Sequence, residues 1–175
     1  MAIEIQPPQR IPKRNAAPCF FLAGSADDGQ AETWQRAFVE ALESSDCVSL
    51  NPRRTRWNSR IEQRLSNPEF RGQVEWELDG QEAADFSLMC FAPGTRAPIT
   101  LLELGLFAKF GKLLVCCPEG FWRRSNVEVI CARYQIPAVA RFQDLVDFAR
   151  SKTQVKLKEE VRKVELALPS HQQNQ

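Results

Sequence analysis

At 175 residues and 19.9 kDa the chain is the size of one domain, enough to bury roughly 70% of its unfolded surface around a single core. Its 43% hydrophobic and 26% charged residues exclude a disordered or fibrous protein. With 23 Lys and Arg against 22 Asp and Glu, the net charge of +1 supplies no general field for a nucleic acid polymer or an anionic membrane.

Residues 1–17 carry Pro7, Pro8 and Pro12 among polar residues without periodicity and read as a flexible leader. They contain no apolar signal-like run, and no segment of the chain approaches the ~20 apolar residues of a membrane span, so the expected location is cytoplasmic. Cys19-Phe20-Phe21-Leu22-Ala23 is then a continuous apolar run ending in Gly24-Ser25, the pattern of a strand buried on both faces.

From there helices and strands alternate. Helices are expected near 31–44, 69–83, 100–110 and 122–133, with strands near 47–50, 86–92, 112–117 and 138–140, and a last helix begins near Phe142. Five strands joined by helical crossovers predict a single-domain α/β fold of flavodoxin or Rossmann-like type over residues 18–150, an open parallel five-stranded sheet with helices on both faces. Residues 151–175 are expected to form a helical extension, charged on most faces, and a polar tail.

The six cysteines mostly sit inside apolar runs, where a free thiol behaves as a small hydrophobe, so they are expected to be reduced and buried. No C-x-x-C pair occurs and the single histidine, His171, lies in the polar tail, so no metal or other cofactor is expected.

In such a fold ligands bind outside the carboxyl ends of the strands. Those ends carry Gly24-Ser25, where backbone and hydroxyl could meet a phosphate or sugar, and Asn51-Pro52-Arg53-Arg54. The second opens an arginine stretch, with Arg56, Arg60 and Arg64 following, that suits either a 5′-phosphate or a solvated basic loop. G-x-G-x-x-G and G-K-[ST] motifs are absent, which disfavours dinucleotide binding and P-loop phosphoryl transfer.

Glu103 is the only charge between Arg96 and Lys109, in Thr100-Leu101-Leu102-Glu103-Leu104-Gly105. Two readings stand open. In one, the first turn of a helix keeps the carboxylate ionised and nucleophilic; in the other, Thr100 and Glu103 form a capping box. Glu77 and Gln73 are one helical turn apart, so Glu77 is a candidate acid for a departing base, or part of a solvated face with Glu75, Asp79 and Glu82. Trp57, Trp76, Phe121 and Trp122 could stack on a base or pack a core or lid.

The strand Phe20 to Ser25, the Asn51-Pro52-Arg53-Arg54 turn with Trp57, the Phe70 to Glu77 helix and the Pro98 to Gly105 segment together resemble the nucleoside 2-deoxyribosyltransferase-like family. The resemblance spans about residues 18–135, and its Glu-Leu-Gly element is the most specific part. It implies that Glu103 attacks the anomeric carbon, forming a glycosyl-enzyme intermediate that a second base or water resolves, as in a retaining glycosidase. It also implies that Glu77, eight residues before Asp85, protonates the base. Gly24, Ser25, Asn51, Arg53, Trp57, Gln73, Asp85, Thr100 and Asn126 are then assigned to substrate binding.

The implied partners are a nucleoside or nucleotide and a free nucleobase. A homodimer or larger homo-oligomer is implied as well, in which the Phe121 to Asn126 loop reaches a neighbouring site. The sequence departs from the family at Ala97, where well-characterised transferases carry an acidic residue. Transfer of the sugar, hydrolysis of a nucleoside or its 5′-monophosphate, and a non-catalytic nucleotide-binding protein are the three functional expectations.

Overall fold

The computed structural model describes residues 1–13, 17–24, 34–54 and 61–167, the side chains of 157 and 160–167 excepted. Its strands are β1 (Ile3–Ile5), β2 (Cys19–Gly24), β3 (Val48–Leu50), β4 (Phe86–Cys90), β5 (Leu113–Cys116) and β6 (Ala138–Val139). They form one all-parallel sheet in the order β1-β3-β2-β4-β5-β6. The helices are α1 (Trp34–Ala41), α2 (Pro68–Ala83), α3 (Pro98–Phe107), α4 (Arg124–Tyr134) and α5 (Phe142–Ala167). A 3-10 turn over Ala108–Phe110 follows α3.

The open parallel α/β fold therefore stands, with six strands instead of five. The added strand lies inside the expected leader. Ile3, Glu4 and Ile5 pair in register with Val48, Ser49 and Leu50, and the segment is tied down further by the Trp76 indole N–H donating to the Gln9 carbonyl at 2.8 Å. Three residues of alternating character are too few to register as a strand by pattern, and parallel pairing to β3 supplies what local propensity does not.

The apolar run of β2 is explained by two packed faces. Phe20 and Leu22 meet Trp34 and Phe38 of α1 and Leu145, Val146 and Ala149 of α5. Phe21 and Ala23, pointing the other way, join Trp76, Leu104, Phe107, Val127 and Cys131 from α2, α3 and α4. This is the period-two alternation of a strand with both sides covered. At Gly80 a Cβ would lie 2.8 Å from the Phe21 ring, so the missing side chain lets α2 sit close against the sheet.

Between β2 and β4 the strand order reverses, since β3 lies on one side of β2 and β4 on the other. A crevice at the carboxyl ends is expected at such a switch point. No described helix is long and apolar enough to cross a membrane. The six cysteines are free thiols, five of them buried and Cys19 half-buried.

Candidate active site

The site lies between α2 and α3. The first of these begins cleanly: Asn67 caps it, its side chain accepting the N–H groups of Glu69 and Phe70, and Pro68 occupies a position where no N–H is needed. Gln73, Glu77 and Gln81 then recur every four residues and so lie along one stripe of the helix. Polar residues on an inward stripe require partners, and each of the three has at least one.

The Gln73 amide Nε2 donates to the Pro52 carbonyl at 2.9 Å, at the exit of β3, and to Glu77 Oε1 at 2.7 Å. One turn further along the stripe, Gln81 Nε2 donates to Glu103 Oε1 at 2.7 Å. Gln73, Gln81 and Glu103 are all buried, and Glu77 is half-buried. Two carboxyl groups, one on α2 and one on α3, are thus each held by a glutamine amide of α2 and lie near enough for the Glu77 charge to act on Glu103.

Their environments push both in the same direction. Burial, then the Glu77 charge, raise Glu103 from its ordinary 4.5 to about 8, against the pull of the Gln81 amide. Burial also raises Glu77, opposed by the Gln73 hydrogen bond and the positive charge of Arg54. Such a pair gives up its protons in two steps that belong to the pair.

This corrects the helix-dipole expectation for Glu103. The helix starts at Pro98 with Ala97 as its N-cap, so Glu103 stands in the second turn, beyond the reach of the helix end, and burial wins. The capping box is excluded for the same reason. Thr100 is the third residue of α3, not its cap, and Glu103 spends its Oε1 on Gln81. Ala97 itself has φ 45°, a left-handed conformation uncommon for a residue other than glycine, and no side-chain capping bond.

The other expected site residues fall into distinct places. Asn51 is buried, donating to Glu4 Oε1 at 2.6 Å and accepting the Arg53 N–H at 3.0 Å, so it shapes the turn after β3. Arg53 Nη1 is buried without a hydrogen-bond partner among the described residues. Arg54 pairs with Glu69 at 3.2 Å, and Arg64 with Glu62 at 2.8 Å. Ser25, Trp57, Arg56 and Arg60 lie outside the described residues.

Gly24 serves packing. A Cβ there would lie 2.7 Å from the Cys90 carbonyl oxygen and 2.7 Å from Trp34 Nε1, so the strand and α1 close over it. Asp85 stands away from the carboxyl pair, at the amino end of β4, where it accepts the Cys19 N–H at 2.9 Å and pairs with Lys156 at 3.3 Å. Asn126 is exposed in the first turn of α4. Trp76 and Phe121 are core residues, whereas Trp122 is exposed, its indole N–H donating to the Arg96 carbonyl at 3.1 Å with Arg123 stacked 4.3 Å over the ring. Glu75, Asp79 and Glu82 do form a solvated face.

Gln81 is the residue that sequence reasoning missed. Its signal was the four-residue repeat Gln73, Glu77, Gln81, visible once α2 is placed.

Compared with known proteins, a family model described as nucleoside 2-deoxyribosyltransferase like matches residues 18–121. That span takes in β2 to β5 and both carboxyl groups. No curated protein matches the sequence.

Proposed function

Because the chain belongs to the nucleoside 2-deoxyribosyltransferase-like family, we propose that it cleaves the N-glycosidic bond of a nucleoside through a glycosyl-Glu103 intermediate and transfers the sugar to another base. The observation that carries this reading is the pair of carboxyl groups, Glu77 and Glu103, held between α2 and α3 by Gln73 and Gln81.

The reactive form is the pair with one proton. Glu103 must be ionised to attack the anomeric carbon, and Glu77 must carry the proton to give it to the departing base. In the free protein the stronger upward push falls on Glu103, with Arg54 and Gln73 favouring ionised Glu77. A substrate whose base nitrogen accepts from Glu77 and whose anomeric carbon gains positive charge beside Glu103 draws the proton across. The net charge of the pair does not change, so no proton is exchanged with solvent. The bond to the base breaks as the bond to Glu103 forms, and a second base restores the enzyme. The chemistry requires no cofactor.

Hydrolysis of a nucleoside 5′-monophosphate is the second reading, favoured by the buried, unpartnered Nη1 of Arg53 at the β3 exit, a donor suited to phosphate. Here water replaces the acceptor base. We further propose that the protein acts as a cytoplasmic homodimer or larger homo-oligomer. Ile99, Leu102 and Leu106 form an exposed apolar row along α3, continued by Phe110, on the helix that carries Glu103 inward. Asn126 is then available to a neighbouring copy's substrate.

The experiment is base exchange and base release by wild type and Glu103→Gln, on nucleosides and their 5′-monophosphates, with and without added free base. Exchange that rises with added base supports transfer. Release unaffected by base supports hydrolysis, and binding without turnover supports a nucleotide-binding protein.

A further inference from the structure

We propose that Gln81 is the positioning residue of the reaction: its amide fixes Oε1 of Glu103 and biases the single proton of the carboxyl pair towards Glu77, the arrangement in which Glu103 can attack. This rests on the reading of Glu103 as nucleophile.

The geometry is direct. Gln81 is 1% exposed and its Nε2 lies 2.7 Å from Glu103 Oε1. Among the described residues no other hydrogen bond to the Glu103 carboxyl occurs, so the second oxygen, Oε2, is left for the sugar. A side-chain N–H donated to a carboxylate favours the ionised over the neutral acid, and burial strengthens the effect by excluding competing water. The carbonyl oxygen of the Gln81 amide is buried without a donor. That cost of an unsatisfied acceptor is borne by the one orientation in which the amide donates to Glu103.

The charged surroundings are few. From α2 the group that faces Glu103 is Glu77, whose charge opposes ionisation of Glu103. From the β3 exit Arg54 acts on Glu77. On α3 itself no other charge occurs between Arg96 and Lys109. Gln81 is therefore the group acting on Glu103 directly that favours its anion. The two glutamines of the stripe compete, Gln73 drawing the negative charge to Glu77 and Gln81 drawing it to Glu103.

The test is Gln81→Leu, which keeps the bulk and removes the donor, or Gln81→Met should the leucine variant fail to fold. Carbon-13 glutamate labelling reads the titration of Glu103 without turnover, the resonance being assigned by its loss in Glu103→Gln. Losing a hydrogen bond to a charged group is expected to raise the Glu103 midpoint by about one pH unit.

In turnover the same change moves the alkaline limb of the rate profile upwards and lowers the plateau kcat by about tenfold, with little change in KM. A merely structural role for Gln81 would lower Tm and leave the limb in place. Turnover by both proteins with an unmoved midpoint and limb overturns the role of Gln81 alone. No turnover by wild type overturns the reading of the site beneath it, and the titration then judges the coupling by itself.

Discussion

Glu103→Gln should make the protein more stable as the pH rises, while removing its chemistry. In the folded protein the Glu103 carboxyl is raised from 4.5 to about 8, so folding favours its protonated form. The sign follows from linkage: a raised acid contributes fully below its unfolded value, and that contribution is lost as pH climbs through the folded one. The window is therefore pH 4.5 to about 8. A shift of about 3.5 units at about 1.36 kcal/mol each sets a ceiling of about 5 kcal/mol on the loss.

A neutral amide of the same shape escapes this loss and still meets Gln81. The assay is urea unfolding followed by tryptophan fluorescence at pH 5, 7 and 9 for both proteins. The advantage of Glu103→Gln should be small at pH 5 and grow to several kcal/mol at pH 9, within that ceiling. A difference that stays constant with pH would refute the claim that burial beside Glu77 holds the proton on this group.

Glu77→Gln removes both the acid and the charge that raises Glu103, so carbon-13 titration should place Glu103 below about 8. Base release should fall by about 10²–10⁴-fold and recover on a nitrophenyl glycoside, whose leaving group needs no proton; no recovery would deny Glu77 the acid's role. Gly24→Ala forces a Cβ to within 2.7 Å of the Cys90 carbonyl and the Trp34 indole, and urea unfolding should show a loss of about 1–3 kcal/mol. Asp85→Asn breaks the pairing with Lys156 at the far end of β4, so stability should fall by at most about 1 kcal/mol, with kcat unchanged in a steady-state assay.

The fold was legible where burial imposes a pattern. The unbroken apolar run of β2 announced a strand covered on both sides, and the alternation that followed placed the helices within a few residues. β1 was illegible because its three residues gain their structure from β3, not from their own propensity. The start of α3 at Pro98 is illegible because Ala97, which caps it, offers no side-chain capping bond and so no sequence signal.

At the site, Glu103, Glu77 and Gln73 were singled out and are brought together. Their electrostatics could not be read from a linear chain. Helix position leaves an ionised Glu103 or a capping box open, whereas burial, and after it the charge of Glu77, decides the state of the group. Gly24 and Asp85 also carry contacts no linear chain displays, close packing at one and an ion pair at the other, at opposite ends of the sheet.

The central claim is that Glu103 forms a covalent bond to a sugar. Wild type and Glu103→Gln should be incubated with a panel of ribo- and deoxyribonucleosides and their 5′-monophosphates, quenched in acid, digested, and the peptide containing Glu103 weighed by mass spectrometry. A glycosyl mass added to that peptide in wild type alone, with release of free base, is the predicted result. Base release without any adduct, or equal release by Glu103→Gln, would contradict it.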